Sequence, residues 1–197
     1  MNILFSLALF FLAVVIHEFA HGWMAYKLGD PTAKYSGRLT LNPLAHIDPI
    51  GTIALPLFLV ITNSPILFGW AKPIPVNFLS LHNPKKDMIW VGLAGPCANI
   101  LLAIIISIFI NLKLFILPFE FLSQFMLLNL VLATFNLIPI PPLDGSRVLM
   151  GLLPAKLAYK YMRLESFGFI IIVIMLYLGL FQLIVWPVVL MLYSLLI

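Results

Sequence analysis
The chain has 197 residues, 63% of them hydrophobic and only 9% charged, with a mean hydropathy of +1.13. A soluble domain carries roughly 45–50% apolar and about 25% charged residues, so a water-soluble fold is excluded and lipid is the solvent. The formal charge of +4 then belongs at the ends of membrane spans, where basic residues set orientation; the basic polar face of a nucleic-acid binder is lacking.

The first apolar run, Asn2 to about Ala25, reads as a retained helix, because it has neither the basic leading region nor the small-residue cleavage site of a secretory leader. Its interior holds His17, Glu18 and His21. Each would cost a few kcal/mol facing lipid, so they are expected to face protein. Gly29 to Pro49 is polar and turn-rich, and the alternation from Tyr35 to Leu41 predicts a short strand, a β-hairpin-like connector. Ile50 to Phe68 is apolar but interrupted by Gly51, Pro56, Asn63 and Pro65, which suits a broken or re-entrant segment.

Trp70 to Asp87 is a second polar connector. Met88 to about Leu112, containing Gly92, Gly95, Pro96 and Asn99, and Phe121 to Ile138, bounded by Pro118 and Pro139, are expected to cross fully. Gly95 and Pro96 suggest close helix approach and local unwinding. Pro139 to Arg163 forms a third connector, and Ser166 to Ile197 is longer than one tilted span requires. Pro187 is expected to divide it into a span ending near Phe181 and a short C-terminal helix. The expectation is an all-α polytopic membrane protein of about four full transmembrane helices, forming one membrane-embedded domain over 1–197. A single cysteine, Cys97, allows neither an internal disulfide nor a thiolate metal site.

Basic residues test this topology. Lys27, Lys34 and Arg38 lie in the first connector, Lys72, Lys85 and Lys86 in the second, and Arg147, Lys156, Lys160 and Arg163 in the third; only Lys113 stands apart. If the segment from Ile50 re-enters, all three groups share one side, which the positive-inside bias makes cytoplasmic.

His17-Glu18-Phe19-Ala20-His21 has the H-E-x-x-H spacing. Residues four apart share a helix face, separated by about 6 Å of rise, so two imidazoles can grip one tetrahedral Zn²⁺. Glu18 is then placed to take a proton from an attacking water. Catalytic zinc takes a third protein ligand. Asp144 follows an apolar helix and a proline-rich turn and approaches the same membrane face as His21; it could alternatively cap a helix ahead of Gly145-Ser146-Arg147, with His46 or Asp48 as substitute ligands. Asn99 and Asn136 are amides embedded in apolar helices near that face. They are candidates for orienting substrate or supporting an oxyanion, or for hydrogen bonds between packed helices.

These residues resemble the site-2 protease family of intramembrane zinc metalloproteases, in particular its short prokaryotic members without a PDZ domain. The resemblance rests on His17–His21, Gly37-Arg38-Leu39-Thr40-Leu41-Asn42-Pro43 with His46-Ile47-Asp48-Pro49, Gly95-Pro96-Cys97-Ala98-Asn99, and Asn136 through Gly145. It implies that His17, His21 and Asp144 hold one Zn²⁺ and that Glu18 is the base. It implies further that the reaction is peptide-bond hydrolysis within or near the transmembrane helix of a membrane-protein substrate. The site would lie near the cytoplasmic face of a prokaryotic cell membrane. Ser146, where many relatives have glycine, is a minor departure. The alternative is a non-proteolytic metal-binding membrane protein, either an ion transporter or a scaffold. A transporter needs further ionisable residues along its spans, whereas Met88 to Leu112 and Phe121 to Ile138 carry only polar amides and hydroxyls, and a structural metal site has no need of Glu18.

Overall fold
A computed structural model describes residues 3–62, 69–114 and 118–197. The described residues are helical or irregular, with no strand among them. Helix α1 (Ile3–Lys27) runs through the His-Glu-x-x-His motif, and a short α2 (Thr32–Tyr35) follows. A π-helical turn, Pro49–Ala54, leads into α3 (Leu55–Ile61). The long α4 (Pro84–Asn111) starts at Asn83, whose side chain accepts from Lys86 N, with Pro84 in its first turn. After α5 (Phe119–Asn136) the prolines at 139, 141 and 142 cannot continue a helix, and α6 (Asp144–Leu152) begins directly beyond them. The chain closes with α7 (Ala155–Met162), α8 (Gly168–Tyr177) and α9 (Trp186–Leu196).

Among the described residues, three helices are long and apolar enough to cross a bilayer: Phe5–Lys27 within α1, α4, and α5. A fourth crossing exists if Ala155–Tyr177 and Phe181–Leu196, inclined at 77°, make one span. The expected division of the C-terminal run is present, but at Gly179 and not at Pro187. Gly179 has φ +71, a region that side chains disfavour. Pro187 sits in the first turn of α9, where its missing N–H costs little, behind a π-helical turn over Phe181–Val185.

The β-hairpin-like connector at Tyr35–Leu41 is not formed. Arg38 N and Leu39 N both donate to Ala33 O, at 2.9 and 3.1 Å, closing the end of α2, and Gly37 turns the chain at φ +67. The N–H groups a ladder would need are therefore spent locally. The helix Pro49–Ile61 is too short to cross. The chain leaving at Gly51 is met again at Trp70, whose N–H donates to Gly51 O at 3.1 Å and whose carbonyl accepts from Thr52 Oγ1 at 2.8 Å. The interruptions at Asn63 and Pro65 lie outside the described residues.

α1, α4 and α5 pack as the central bundle, with α9 against α5. The apolar core fills one half of it: Leu9 and Ala13 of α1, Ala103, Ile106 and Ile110 of α4, Phe125, Met126 and Leu130 of α5, closed by Val185 and Val189. The other half is where α1 ends, α4 begins, α5 ends and α6 starts, and it holds the polar residues. All three basic connectors meet there. Arg38 Nη2 donates to Lys72 O at 2.7 Å, His82 N to Leu28 O at 2.9 Å, and the Arg147 guanidinium lies 5.5 Å from the Phe78 ring centre. Lys113 follows the opposite end of α4.

Candidate metal centre
One turn of α1 places His17 above His21, both buried, with ring centres 4.7 Å apart. Asp144 reaches them from the first residue of α6. Gly145 lets α6 begin pressed against the end of α5, since a Cβ there would lie 2.2 Å from Leu137 O. Asp144 Oδ2 lies 2.9 Å from His17 Nε2 and 3.2 Å from His21 Nε2, and the two Nε2 atoms are 3.1 Å apart. Three ligand atoms about 2.0–2.1 Å from a tetrahedral zinc would be separated by about 3.3 Å, so this triangle needs to open by only a few tenths of an ångström.

Which ring nitrogen carries the proton follows from the partners behind the histidines. Asn129 Nδ2 donates to the carbonyl of Phe125 at 2.8 Å, so Asn129 presents Oδ1 to Asn99. Asn99 Nδ2 donates to that oxygen at 2.6 Å and to Ala13 O at 3.2 Å, so Asn99 presents Oδ1 to His17. His17 Nδ1 must then be the donor, at 2.6 Å. His21 Nδ1 likewise donates to Val91 O at 2.6 Å. In the neutral, ligating form of each imidazole the lone pair then sits at Nε2, aimed at the other ring and at a carboxylate oxygen. Three acceptors at such distances repel one another unless a cation sits among them, and this donor set of two imidazoles and one carboxylate suits Zn²⁺.

Gly95 of α4 faces the same point. A Cβ on it would lie 2.4 Å from His21 Nε2 and 2.6 Å from His17 Nε2, so the space is kept open by the missing side chain. Close approach of α4 is thus as expected, whereas the helix stays regular through Pro96 without unwinding.

Glu18 lines the adjoining cavity of about 370 Å³ together with Val14, Asn136, Ile74 and Arg147. Its Oε2 accepts from the backbone N–H of Ile74 at 2.7 Å. Asn136 Nδ2 donates to Leu132 O of its own helix at 3.0 Å while the residue lines the cavity. Asn99 is placed differently from the expectation of a substrate contact: it is fully buried behind His17, with both amide hydrogens and its oxygen engaged by protein. Asp144 accepts no helix-capping bond. The substitute ligands His46 and Asp48 are not gathered with His17 and His21; His46 Nε2 meets Thr40 O, and Asp48 accepts from Ile50 N and Gly51 N. Sequence reasoning missed Asn129, the Val91 carbonyl and the Ile74 amide; an asparagine inside an apolar span was a signal available only for the first.

Residues 115–180 match the model of peptidase family M50. The chain is 42% identical over 183 residues to YwhC of Bacillus subtilis and 29% identical over 171 residues to Rip2 of Mycolicibacterium smegmatis, each named "Putative zinc metalloprotease". The aligned parts cover 87% of this chain and 80% of YwhC, and 84% of this chain and 63% of Rip2. It is also 30% identical over 154 residues to the protein named "Zinc metalloprotease MJ0392" of Methanocaldococcus jannaschii, covering 77% of this chain and 35% of that one. No solved structure matches.

Proposed function
The chain belongs to peptidase family M50, the site-2 protease family, and from that premise we propose that it is an intramembrane zinc metalloprotease hydrolysing peptide bonds in or near transmembrane segments of membrane-protein substrates. His17, His21 and Asp144 are the zinc ligands and Glu18 is the general base. The observation that carries this reading is the convergence of three lone pairs, two Nε2 and one Oδ2, beside a carboxylate that no ligand role occupies.

Zinc bound there supplies Lewis acidity, activating water at neutral pH and polarising the scissile carbonyl. The residues of this chain do the rest. Asn99 and the Val91 carbonyl hold the imidazoles in the tautomer that ligates. Glu18 takes the proton of the attacking water and passes it to the departing amine. Its hydrogen bond to Ile74 occupies Oε2 while the residue lines the cavity. Asn136, on the cavity wall, offers its amide to the substrate backbone or to the developing oxyanion.

The whole chain acts as a single membrane-embedded domain, in which the segment beginning at Ile50 re-enters the bilayer and does not cross it. Support for the re-entrant path comes from the pairing of Gly51 with Trp70. The joined basic connectors support a cytoplasmic placement of the active-site end in a prokaryotic cell membrane.

The test is zinc content and cleavage of a single-span membrane substrate by purified wild type, Glu18→Gln and Asp144→Ala. Glu18→Gln is expected to keep zinc and lose about 10²–10⁴-fold in turnover, and Asp144→Ala to lose zinc. Wild-type protein that holds no metal, or Glu18→Gln that cleaves at the wild-type rate, would refute the reading.

A further inference from the structure
Residues 69–77 pass over the cavity without regular secondary structure, contributing Pro73, Ile74 and Val76 to its wall. Beyond the Trp70 bonds to Gly51 and Thr52, and Lys72 N donating to His46 O at 2.9 Å, this strap is pinned at three further places. Arg38 Nη2 donates to Lys72 O at 2.7 Å and Pro73 O at 3.3 Å, Ile74 N donates to Glu18 Oε2 at 2.7 Å, and Asn77 N donates to Asp30 Oδ2 at 2.6 Å. Pro73 and Pro75 have no N–H, so between them the Ile74 amide is the one backbone donor, and it is spent on the proposed catalytic base.

Asp30 lies just beyond α1 and is fully buried. Its Oδ1 accepts from Thr32 N at 3.0 Å and from Thr32 Oγ1, while Oδ2 takes Asn77 N. No cation is paired with it among the described residues. Burying an ionised carboxylate among neutral donors is costly, and the local turn at Thr32 does not require it, because an asparagine oxygen would serve there equally well. What a carboxylate adds is a second acceptor oxygen; an amide would turn an NH₂ toward the Asn77 N–H. That second oxygen reaches the strap.

We infer that Asp30 is a positioning residue for the hydrolysis. By fixing Asn77 it holds the strap in the register at which the Ile74 N–H, 56 residues beyond Glu18 in sequence, meets the base. The inference rests on the protease reading given above. It assigns Asp30 no contact with substrate or metal.

Two variants separate this role from support of the local fold. Asp30→Asn keeps the turn at Thr32 and loses the strap bond; Thr32→Val loses the hydroxyl bond to Asp30 and keeps the strap bond. Purified wild type and both variants are compared for zinc per chain, kcat and KM on a single-span substrate, and amide hydrogen exchange of the peptide covering 69–80. Asp30→Asn is expected to retain zinc, to exchange its strap amides faster, and to lose about 10–100-fold in kcat, the size of effect seen when an outer-shell partner is removed, with KM near wild type. Thr32→Val should stay near wild type in all three. Wild-type turnover in Asp30→Asn, an equal loss in Thr32→Val, a loss confined to KM, or a loss that merely follows zinc would each overturn the inference. A wild type that neither held zinc nor cleaved would instead bring down the protease reading itself.

Discussion
Replacing Gly95 by alanine tests the site with one methyl group. The new Cβ would sit 2.4 Å from His21 Nε2, 2.6 Å from His17 Nε2 and 2.7 Å from His17 Cε1. Carbon and nitrogen in ordinary contact are about 3.5 Å apart, so the rings or the helix must give by roughly 1 Å. The rings are poorly able to do so, because His17 Nδ1 is held by Asn99 and His21 Nδ1 by Val91 O, each at 2.6 Å. Metal-ligand distances tolerate about 0.2 Å. Zinc affinity should therefore fall by at least about 100-fold, or about 2.8 kcal/mol at about 1.4 kcal/mol per tenfold, while overpacking costs the fold about 1–3 kcal/mol. The assay is zinc retained per chain against a graded competing chelator, alongside cleavage of a single-span substrate and helicity by circular dichroism. Cys97→Ser, on the exposed side of the same helix, is the control. Gly95→Ala that binds zinc as tightly as wild type and cleaves as fast would refute the placement of the metal between these nitrogens.

Asn99→Leu strands the His17 Nδ1–H and the Asn129 oxygen; zinc affinity is expected to drop by about 10–100-fold, and stability in detergent by about 1–3 kcal/mol, measured by metal competition and thermal unfolding. For topology, cysteines at Lys34 and Lys156 in a Cys97→Ser background should be labelled by an impermeant thiol reagent from the cytoplasmic side and one at Lys113 from the other. Labelling of all three from one side would refute the arrangement.

How much could be read from the sequence differs by the kind of contact. The trio that the structure brings together was legible because metal ligation demands particular side chains at particular spacings: His17 and His21 one helical turn apart, and Asp144 behind a proline turn that positions a carboxylate at the end of a span. Asn99 drew notice as a polar group in an apolar helix, but a sequence does not tell which way a helix is turned, and its amide lies behind His17, away from the cavity. The strap escaped notice because its contacts with Glu18 and Asp30 use backbone N–H groups, which every residue but proline carries. Alternation at Tyr35–Leu41 misled for a related reason: a strand needs a partner, and here the local amides had already closed on Ala33.

A last argument concerns charge. The cavity end of the bundle brings Asp144 and Glu18 together at the ends of apolar helices, and the nearby Arg147 is paired with Glu165 at 2.5 Å and so does not neutralise them. Two carboxylates in a weakly polar surrounding carry a desolvation cost of several kcal/mol each unless compensated. With both imidazoles neutral, as metal ligation through Nε2 requires, one divalent cation balances the two carboxylates, and a monovalent one does not. Asn99, Asn129 and the carbonyls of Ala13, Phe125 and Val91 extend the polar network into the helices without adding charge. The same balance accounts for a neutral asparagine, Asn99, behind His17: a further negative charge there would leave the site unbalanced even with zinc in place.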